Sequence, residues 1–339
     1  MPILSPPSRK RLAEFLQKHA KWIPWLSLFG GIVGAIWMER SPRTSMVVFV
    51  LAVFSWIAVF LLGRFSKPKR TNTSENTKGK ALKFFVTWLT QNLMQQSLFF
   101  VIPFYVGSTL LHGGQILFTS VLIAVALFSL WDPFFERMVK TLPRRIALQV
   151  FVVFVTIHAV GPFVGFSNRV SLTFAAVAAA LGAPMIVFKY AEKNLRASKS
   201  ALAFGISSLA MVATSYVLAP WIIPPAPLQI VEGGIGTDYS DHTLIGKADE
   251  FMVNDAPFYC ASSIKGPSKM KDIVFHRWFV NNKQTDRISL RFRGGREHGF
   301  RTFTRKKRIA PGVAICQIET STRQMIGRFK VTVEKATHQ

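Results

Sequence analysis

Long apolar stretches alternate with short polar connections through the first two thirds of the chain. A bilayer core about 30 Å thick requires about 20 apolar residues in helical form, because each residue rises about 1.5 Å and every backbone polar group must be paired within the segment. Seven stretches come close to that length, so the pattern predicts about seven transmembrane helices. They span residues 22–38, 44–63, 82–106, 115–131, 146–165, 170–188 and 201–223.

The hydrophobic pattern changes after residue 223. The run "PPAP" is typical of an extended chain, and a Gly- and Asp-containing spacer follows it to residue 246. Short segments of alternating apolar and polar residues then predict strands, and seven strands in about ninety residues are typical of an immunoglobulin-like sandwich. The predicted strands lie near residues 248–254, 257–264, 272–281, 284–293, 300–305, 312–320 and 323–333.

Together the patterns predict a membrane α-helical bundle followed by a C-terminal all-β, immunoglobulin-like sandwich. The composition agrees with a membrane protein, because 50% of the residues are hydrophobic and only 17% are charged. The predicted domains are a basic cytoplasmic N-terminus at 1–21, a multi-pass transmembrane domain at 22–223, a linker at 224–246 and an extracytoplasmic β-sandwich domain at 247–335.

The net charge of +25 is typical of nucleic-acid binding when taken alone, but basic loops beside membrane spans give the same total. Short cytoplasmic loops retain Lys and Arg during insertion. With the N-terminus inside, 20 of the 23 basic residues up to residue 223 fall in predicted cytoplasmic segments. The sequence therefore predicts a bacterial inner-membrane protein with a cytoplasmic N-terminus and a periplasmic C-terminal domain.

The third predicted span, which contains "TWLTQNLMQQS", carries amides where hydrocarbon is expected. Thr87, Gln91 and Gln95 recur every four residues and share one helix face, and Asn92 and Gln96 lie on the adjacent stripe. One interpretation is hydrogen bonding between helices, because amides in lipid seek partners. The other is a polar cavity in the path of a small-molecule or lipid transporter.

The segment "DRISLRFR" alternates apolar residues with Arg and Ser, so one face of its strand is predicted to be core and the other cationic. An "RGG" turn leads to "GFRTFTRKKR", which predicts a basic hairpin. Arginine binds phosphate and carboxylate bidentately, whereas the alternative is a solvated face partly neutralised by Glu297, Asp286 and Asp272. The candidate residues for anion or partner binding are Arg291, Arg293, Arg296, Arg301, Arg305 and Lys306.

The two cysteines, Cys260 and Cys316, flank Trp278 in the order found in immunoglobulin domains. A disulfide and two buried free thiols are both compatible with this pattern. Two Cys and one His without metal-site spacing predict no metal centre. No cofactor motif, nucleophile with a nearby base, or carboxylate pair stands out, so the chain is not expected to be an enzyme.

The segment "FHRWFVNNKQTDRISLRFRGGREHGFRTFTRKK", with the later "GRFKVTV", resembles domain-of-unknown-function family 2914. The membrane part, with "QQSLFFVIPFY" and "LWDPFFE", resembles family 5924, which often precedes that domain. The resemblance implies an architecture and a location in bacterial membranes, and it implies no catalytic residue.

The favoured function is therefore a non-enzymatic inner-membrane protein, in contact with the lipid bilayer. Its outer sandwich is expected to bind an anionic envelope component, such as an anionic lipid or glycan, or a partner protein. The alternative is the transporter described above. Nucleic acid is not an expected partner, because the basic hairpin is predicted to face away from the cytoplasm and contains no reader motif. The sequence predicts no oligomeric state.

Overall fold

A helical part and a β domain succeed each other along the chain. The computed structural model describes residues 50, 77–111, 113–180, 197–252 and 257–334. The predicted spans at 22–38 and 44–63 lie outside the described residues, apart from Val50. The described helices are α1 (Thr77–Ser108), α2 (Gln115–Ser129), α3 (Asp132–Lys140), α4 (Leu142–Val164), α5 (Asn168–Ala180) and α6 (Ala197–Leu218).

The helix boundaries follow from proline and glycine. Pro133 and Pro143 occupy the first turns of α3 and α4, where the missing backbone N–H costs nothing. Gly165 ends α4 in the left-handed conformation, with φ of 109°, and its N–H bonds to the Pro162 carbonyl at 3.1 Å. This turn sends the chain directly into α5.

The prediction of seven transmembrane helices is wrong for the described part of the chain. One described helix, Pro143–Val164, is long and apolar enough to cross a membrane, or two if α2 and α3, bent by 106°, count as one span. The other predicted spans fail for physical reasons. Helix α2 has 15 residues and the described part of α5 has 13, both shorter than about 20. Polar residues interrupt α1 and the first half of α6.

The helical part is held together by one apolar core between α1, α2 and α4. Leu98 and Val101 of α1, Leu122 of α2 and Val152 of α4 are fully buried in it. Residues Ile157 and Ala175 join α4 to α5 in a smaller cluster. Helix α4 is thus the central helix, which explains why the described helix that is long and apolar enough to cross a membrane is also largely buried.

The β domain begins earlier in the chain than the sequence pattern predicted. Ten strands are described after the helices, and three of them lie inside the predicted linker of 224–246. The strands are β1 (Gln229–Gly236), β2 (Asp238–Ser240), β3 (Thr243–Ile245), β4 (Glu250–Met252), β5 (Phe258–Lys265), β6 (Lys271–Val280), β7 (Lys283–Arg293), β8 (Phe300–Lys306), β9 (Gly312–Thr320) and β10 (Met325–Glu334).

These strands form two packed sheets and a small hairpin. The three-stranded sheet has the order β1-β5-β8, the five-stranded sheet has the order β4-β10-β9-β6-β7, and β2 pairs with β3. Strand β4 runs parallel to β10, whereas the other pairs are antiparallel, so the five-stranded sheet is mixed. The predicted all-β, immunoglobulin-like sandwich is therefore supported only in its coarser form, a β domain with mixed sheets.

A disulfide between Cys260 of β5 and Cys316 of β9 joins the two sheets through their core. Trp278 of β6 is fully buried in the same layer, together with Phe258 and Ile318. The sequence left a disulfide and free thiols open, and the structure has the disulfide.

A buried polar junction, centred on Asn168, connects the β domain to the ends of the helices. The Asn168 side-chain amide donates to Gln324 Oε1 at 2.6 Å and to Thr322 Oγ1 at 3.1 Å, and its backbone N–H donates to Asp272 Oδ2 at 2.7 Å. Gln324 Nε2 donates to the Ile223 carbonyl at 3.0 Å, and Gln115 Nε2 donates to the Met325 carbonyl at 2.9 Å. The ends of α2, α5 and α6 are thereby fixed to the β9–β10 turn.

Replacing Asn168 by Ala is expected to loosen this junction. The change removes both side-chain hydrogen bonds from Asn168, although Thr322 Oγ1 and Gln324 Oε1 stay bonded to each other. Each lost hydrogen bond costs about 0.5–1.5 kcal/mol. Hydrogen exchange on the full-length chain should show faster exchange in the β9–β10 turn and in the first turn of α5. The matched control is Arg169→Ala, because Arg169 is the exposed neighbour of Asn168. Equal protection in both variants would show that the junction does not hold the domain.

Candidate functional site

The outer surface of the five-stranded sheet carries seven basic residues, which we call the cationic face. The strand register brings them together: Arg277 lies opposite Arg287, Lys271 opposite Arg293, and Arg328 follows in the same cross-strand row beyond Gln317. All project away from the inter-sheet core, because the residues between them along each strand are the buried ones. The cationic face consists of Lys271, Arg277, Arg287, Arg291, Arg293, Arg328 and Lys330.

One buried acid organises the centre of the cationic face. Glu319 of β9 is completely buried, and it forms ion pairs with Arg287 at 2.9 Å and with Arg277 at 3.5 Å. The Arg287 guanidinium also stacks over the Phe275 ring, 3.7 Å from its centroid. Such contacts fix the guanidinium groups in one orientation, and each pair keeps donors for a further acceptor. The two arginines therefore have a structural role as well as a charge.

The structure separates the six basic residues that the sequence grouped in one hairpin. Strand β7 pairs with β6, and β8 pairs with β5, so the predicted hairpin between β7 and β8 is wrong: the two strands belong to different sheets. Arg291 and Arg293 lie on the cationic face. Arg301 and Arg305 lie on the outer surface of the three-stranded sheet, facing the opposite way.

The remaining two candidates are engaged locally. Arg296, in the β7–β8 loop, lies over the Phe300 ring, 4.7 Å from its centroid. Lys306 forms an ion pair with Asp286 and donates to Thr285 Oγ1 at 3.0 Å. The bond to Lys306 holds the pKa of Asp286 below its usual value. Lys306 therefore joins the edges of the two sheets.

The six candidates omit five members of the cationic face. The alternation of "DRISLRFR" places Arg287 on the exposed side of its strand, whereas sequence reasoning missed Lys271, Arg277, Arg328 and Lys330. Alternation along "KDIVFHRW" and "GRFKV" contains the signal, since these cations alternate with buried apolar residues. The alternation does not tell which strands are neighbours in the sheet, because β6, β7 and β10 are brought together by contacts between residues far apart in sequence. Asp272, taken as a neutralising residue, instead accepts the hydrogen bond from Asn168.

One end of the cationic face lies beside the helix ends. Lys271 starts β6, directly before Asp272, which bonds to the first residue of α5. The Lys269 carbonyl packs against Gly165 at the end of α4. Lys271 and its cross-strand partner Arg293 are therefore among the members of the face nearest the helices, and both are exposed.

The amide face predicted in the third span lies on α1, and the structure divides it. Gln95 is buried and its Nε2 donates to the Ser129 carbonyl at 2.7 Å, at the end of α2, and Gln91 reaches the same carbonyl at 3.4 Å. Gln96 is exposed on another side of the helix. The side chains of Thr87 and Asn92 lie outside the described residues. For Gln91 and Gln95 this arrangement favours hydrogen bonding between helices.

His276 lies beside the disulfide in the inter-sheet core. Its Nδ1 lies 3.1 Å from Thr304 Oγ1, and its Nε2 lies 3.1 Å from Thr302 Oγ1 and 3.3 Å from Ser262 Oγ. Ligand atoms of His276, Cys260 and Cys316 lie within 4.8 Å of one another. The two sulfur atoms are bonded to each other, however, and a metal site requires free thiolates. This group is therefore a core element in the oxidised protein.

Comparisons with known proteins give two family matches. A model described as a family of unknown function (DUF5924) matches residues 5–251, and a model described as a protein of unknown function (DUF2914) matches residues 271–333. Both families and their order along the chain are those that the sequence resemblance indicated. The second match covers β6 to β10, which carry the cationic face. A comparison with curated proteins finds no match.

Lowering the pH should destabilise the β domain through His276. Burial lowers the pKa of His276 from 6.5 to about 4, so the unfolded chain binds a proton more readily than the folded one. The free energy of unfolding is therefore highest above pH 6.5, where His276 is neutral in both the folded and the unfolded chain. It falls by about 3 kcal/mol in total as the pH drops from 6.5 toward 4. Thermal unfolding of the full-length chain across this window measures the slope.

The variant His276→Gln keeps a polar group in the core without titrating, and it should flatten the slope. His298→Gln, which removes an exposed histidine of the same domain, is the control. A slope unchanged by His276→Gln would mean that another group governs the pH dependence.

Proposed function

The chain belongs to the DUF5924 family of unknown function, and for this member we propose a binding function in the bacterial inner membrane, with the β domain on the periplasmic side. The β domain binds an anionic envelope component, and the phosphate groups of anionic lipids in the same membrane fit the surface best. The lipid bilayer is the partner of the helices. This is a binding function without catalysis.

Exposed apolar residues on the helices support contact with a bilayer. Large apolar side chains of α2, α5 and α6 face outward, and an exposed surface of this kind marks an interaction site. Trp131 is 60% exposed beyond one end of α2, and Trp221, which packs against Gly114, is 74% exposed beyond the other. Tryptophan is enriched at membrane–water interfaces, so both exposed side chains agree with contact between the helices and lipid. Outward-facing apolar residues include Leu117, Val121, Phe174, Val177, Leu202, Ile206 and Leu209.

Charge at the two ends of the helices supports the orientation. Arg137, Lys140 and Arg144 are exposed around α3 and the start of α4, beyond the end of α2 that carries Trp131. The β domain joins the helices at the opposite end, through Asn168 and Gln324. Short basic connections stay in the cytoplasm, whereas folded domains cross regardless of their charge. A periplasmic β domain agrees with both rules.

The single observation that carries the binding proposal is the cationic face and its position. Seven cations from three strands, β6, β7 and β10, lie on one surface, where the described acid at their centre, Glu319, is buried. Lys271 and Arg293 lie at the end of that surface nearest the helices, so they would be close to lipid phosphates. Arginine and lysine near an anionic membrane surface each contribute about 1 kcal/mol of attraction.

Transport is the less supported alternative. It requires the amides of α1 to line a path, but the Gln95 amide donates to Ser129 and Gln96 lies on another side of the helix. Amides that bond to a neighbouring helix end stabilise packing.

Anionic lipid should stabilise the full-length protein through the cationic face. In nanodiscs, phosphatidylglycerol should raise the unfolding temperature of the β domain above its value in phosphatidylcholine. The variant Lys271→Gln, Arg291→Gln, Arg293→Gln should lose most of this rise in unfolding temperature. Its three substitutions remove about 3 kcal/mol of attraction to the lipid surface at low salt. Arg277 and Arg287 stay in place, because they pair with buried Glu319.

The control variant is Arg305→Gln, Lys307→Gln, Arg308→Gln, which removes three exposed cations outside the cationic face and should keep the lipid effect. Equal responses of the two variants would exclude the cationic face as the lipid site. Stabilisation by an acidic protein from the envelope, but not by lipid, would instead indicate a protein partner.

Protease added to spheroplasts should digest the β domain from outside, because the proposed orientation exposes it to the periplasm. A tag inserted in the exposed connection at Thr141 should resist digestion until the cells are lysed. Protection of the β domain before lysis would contradict the orientation, and with it the binding of a periplasmic component.

A further inference from the structure

A half-open pocket lies on the outer surface of the three-stranded sheet, on the side opposite the cationic face. Strands β1, β5 and β8 form its floor, and the β2–β3 hairpin with the connection after it forms its wall. Its volume is about 70 Å³, which corresponds to room for about five water-sized groups. The pocket is independent of the proposed lipid-binding function.

Glycines and one aromatic contact create this concavity. Gly234 of β1 has no side chain on the outer surface of the sheet. A Cβ at this position would lie 2.7 Å from Lys247 Cε, which is too close. Lys247 can therefore cross the sheet surface with its ammonium group at the pocket. Tyr239 of the hairpin stacks on Phe303 of β8, with ring centroids 4.3 Å apart, and this stack fixes the hairpin above the sheet.

The pocket contains separated charges of both signs. The register aligns Glu232 of β1, Ser263 of β5 and Arg301 of β8 in one cross-strand row on the outer surface. Glu232 and Arg301 are therefore two strand spacings apart, about 10 Å. Within the part of the chain that the structure describes, Glu232, Lys247 and Arg301 form no ion pair with one another or with other residues.

Arg301 also acts on the aromatic wall. Burial raises the pKa of Tyr239, and the positive charge of Arg301 opposes this shift, so the two side chains are close. Tyr239 and Arg301 both line the pocket, so the Tyr239 hydroxyl is a further hydrogen-bond donor there. The pocket thus offers cations and a hydroxyl on one side and a carboxylate on the other.

We propose that this pocket binds a small zwitterion, with its carboxylate or phosphate held by Arg301 and Lys247 and its ammonium group held by Glu232. Arginine binds both kinds of anion through paired N–H groups, and charge-assisted hydrogen bonds are the strong ones. A ligand with one charge only would leave either Glu232 or the pair of Arg301 and Lys247 without a partner. An amino acid and the phosphoethanolamine headgroup of a lipid share this chemistry.

Calorimetric titration of the full-length chain in a nonionic maltoside detergent, which adds no zwitterionic headgroup, tests the proposal. The probes are alanine and phosphoethanolamine as zwitterions, and ethanolamine and inorganic phosphate as ligands with one charge. At least one zwitterion should bind about tenfold or more tightly than the singly charged probes. Alanine binding identifies an amino-acid site, and phosphoethanolamine binding identifies a headgroup site.

Two exposed positions give the decisive variants. Arg301→Gln and Glu232→Gln should each weaken binding of the zwitterion about tenfold or more, whereas Arg305→Gln, on the same face of the same strand, should leave it unchanged. Absence of binding by any probe would overturn the proposal. So would phosphate binding that equals zwitterion binding and is unaffected by Glu232→Gln, because the pocket would then recognise an anion alone.

Discussion

The arrangement of this protein depends on a buried polar junction between helix ends and a sheet turn. Asn168, Gln324 and Gln115 are amides whose hydrogen bonds connect the helical part to the β9–β10 turn. An unpaired polar group away from water destabilises the fold by more than one apolar contact stabilises it. The two parts therefore dock in the one geometry that pairs these amides. It determines which surface of the β domain lies beside the helices and which surfaces point away.

Within the β domain, the disulfide and Trp278 set the spacing of the two sheets, and each sheet then has one free outer surface. The two outer surfaces differ in character. The cationic face collects like charges around buried Glu319, whereas the three-stranded sheet carries a half-open pocket with charges of both signs. The two outer surfaces share no charged side chain, so the two proposed ligands, an extended anionic surface and a small zwitterion, would bind independently.

The candidate site was predictable only in part. Alternation within "DRISLRFR" correctly indicated that Arg291 and Arg293 share an exposed face, because side chains alternate with period two whatever the partner strand is. The same rule could not tell that Arg301 and Arg305 point the opposite way, since their strand joins another sheet. Hydropathy likewise overcounted membrane spans: an apolar stretch records that a segment avoids water, and burial inside a protein satisfies this as well as lipid does.

The sequence by itself determined the order of a helical part and a β domain, most strand positions from β4 to β10, the two family resemblances and the alternation of each strand. These are local properties, set by residues close together in the chain. Only the tertiary structure decided that Cys260 meets Cys316, that Arg277 and Arg328 join Arg291 on one surface, and that the predicted linker closes a pocket over Arg301. Such pairings depend on contacts between segments that are distant in sequence. These contacts stabilise the protein only once folding has brought the segments together.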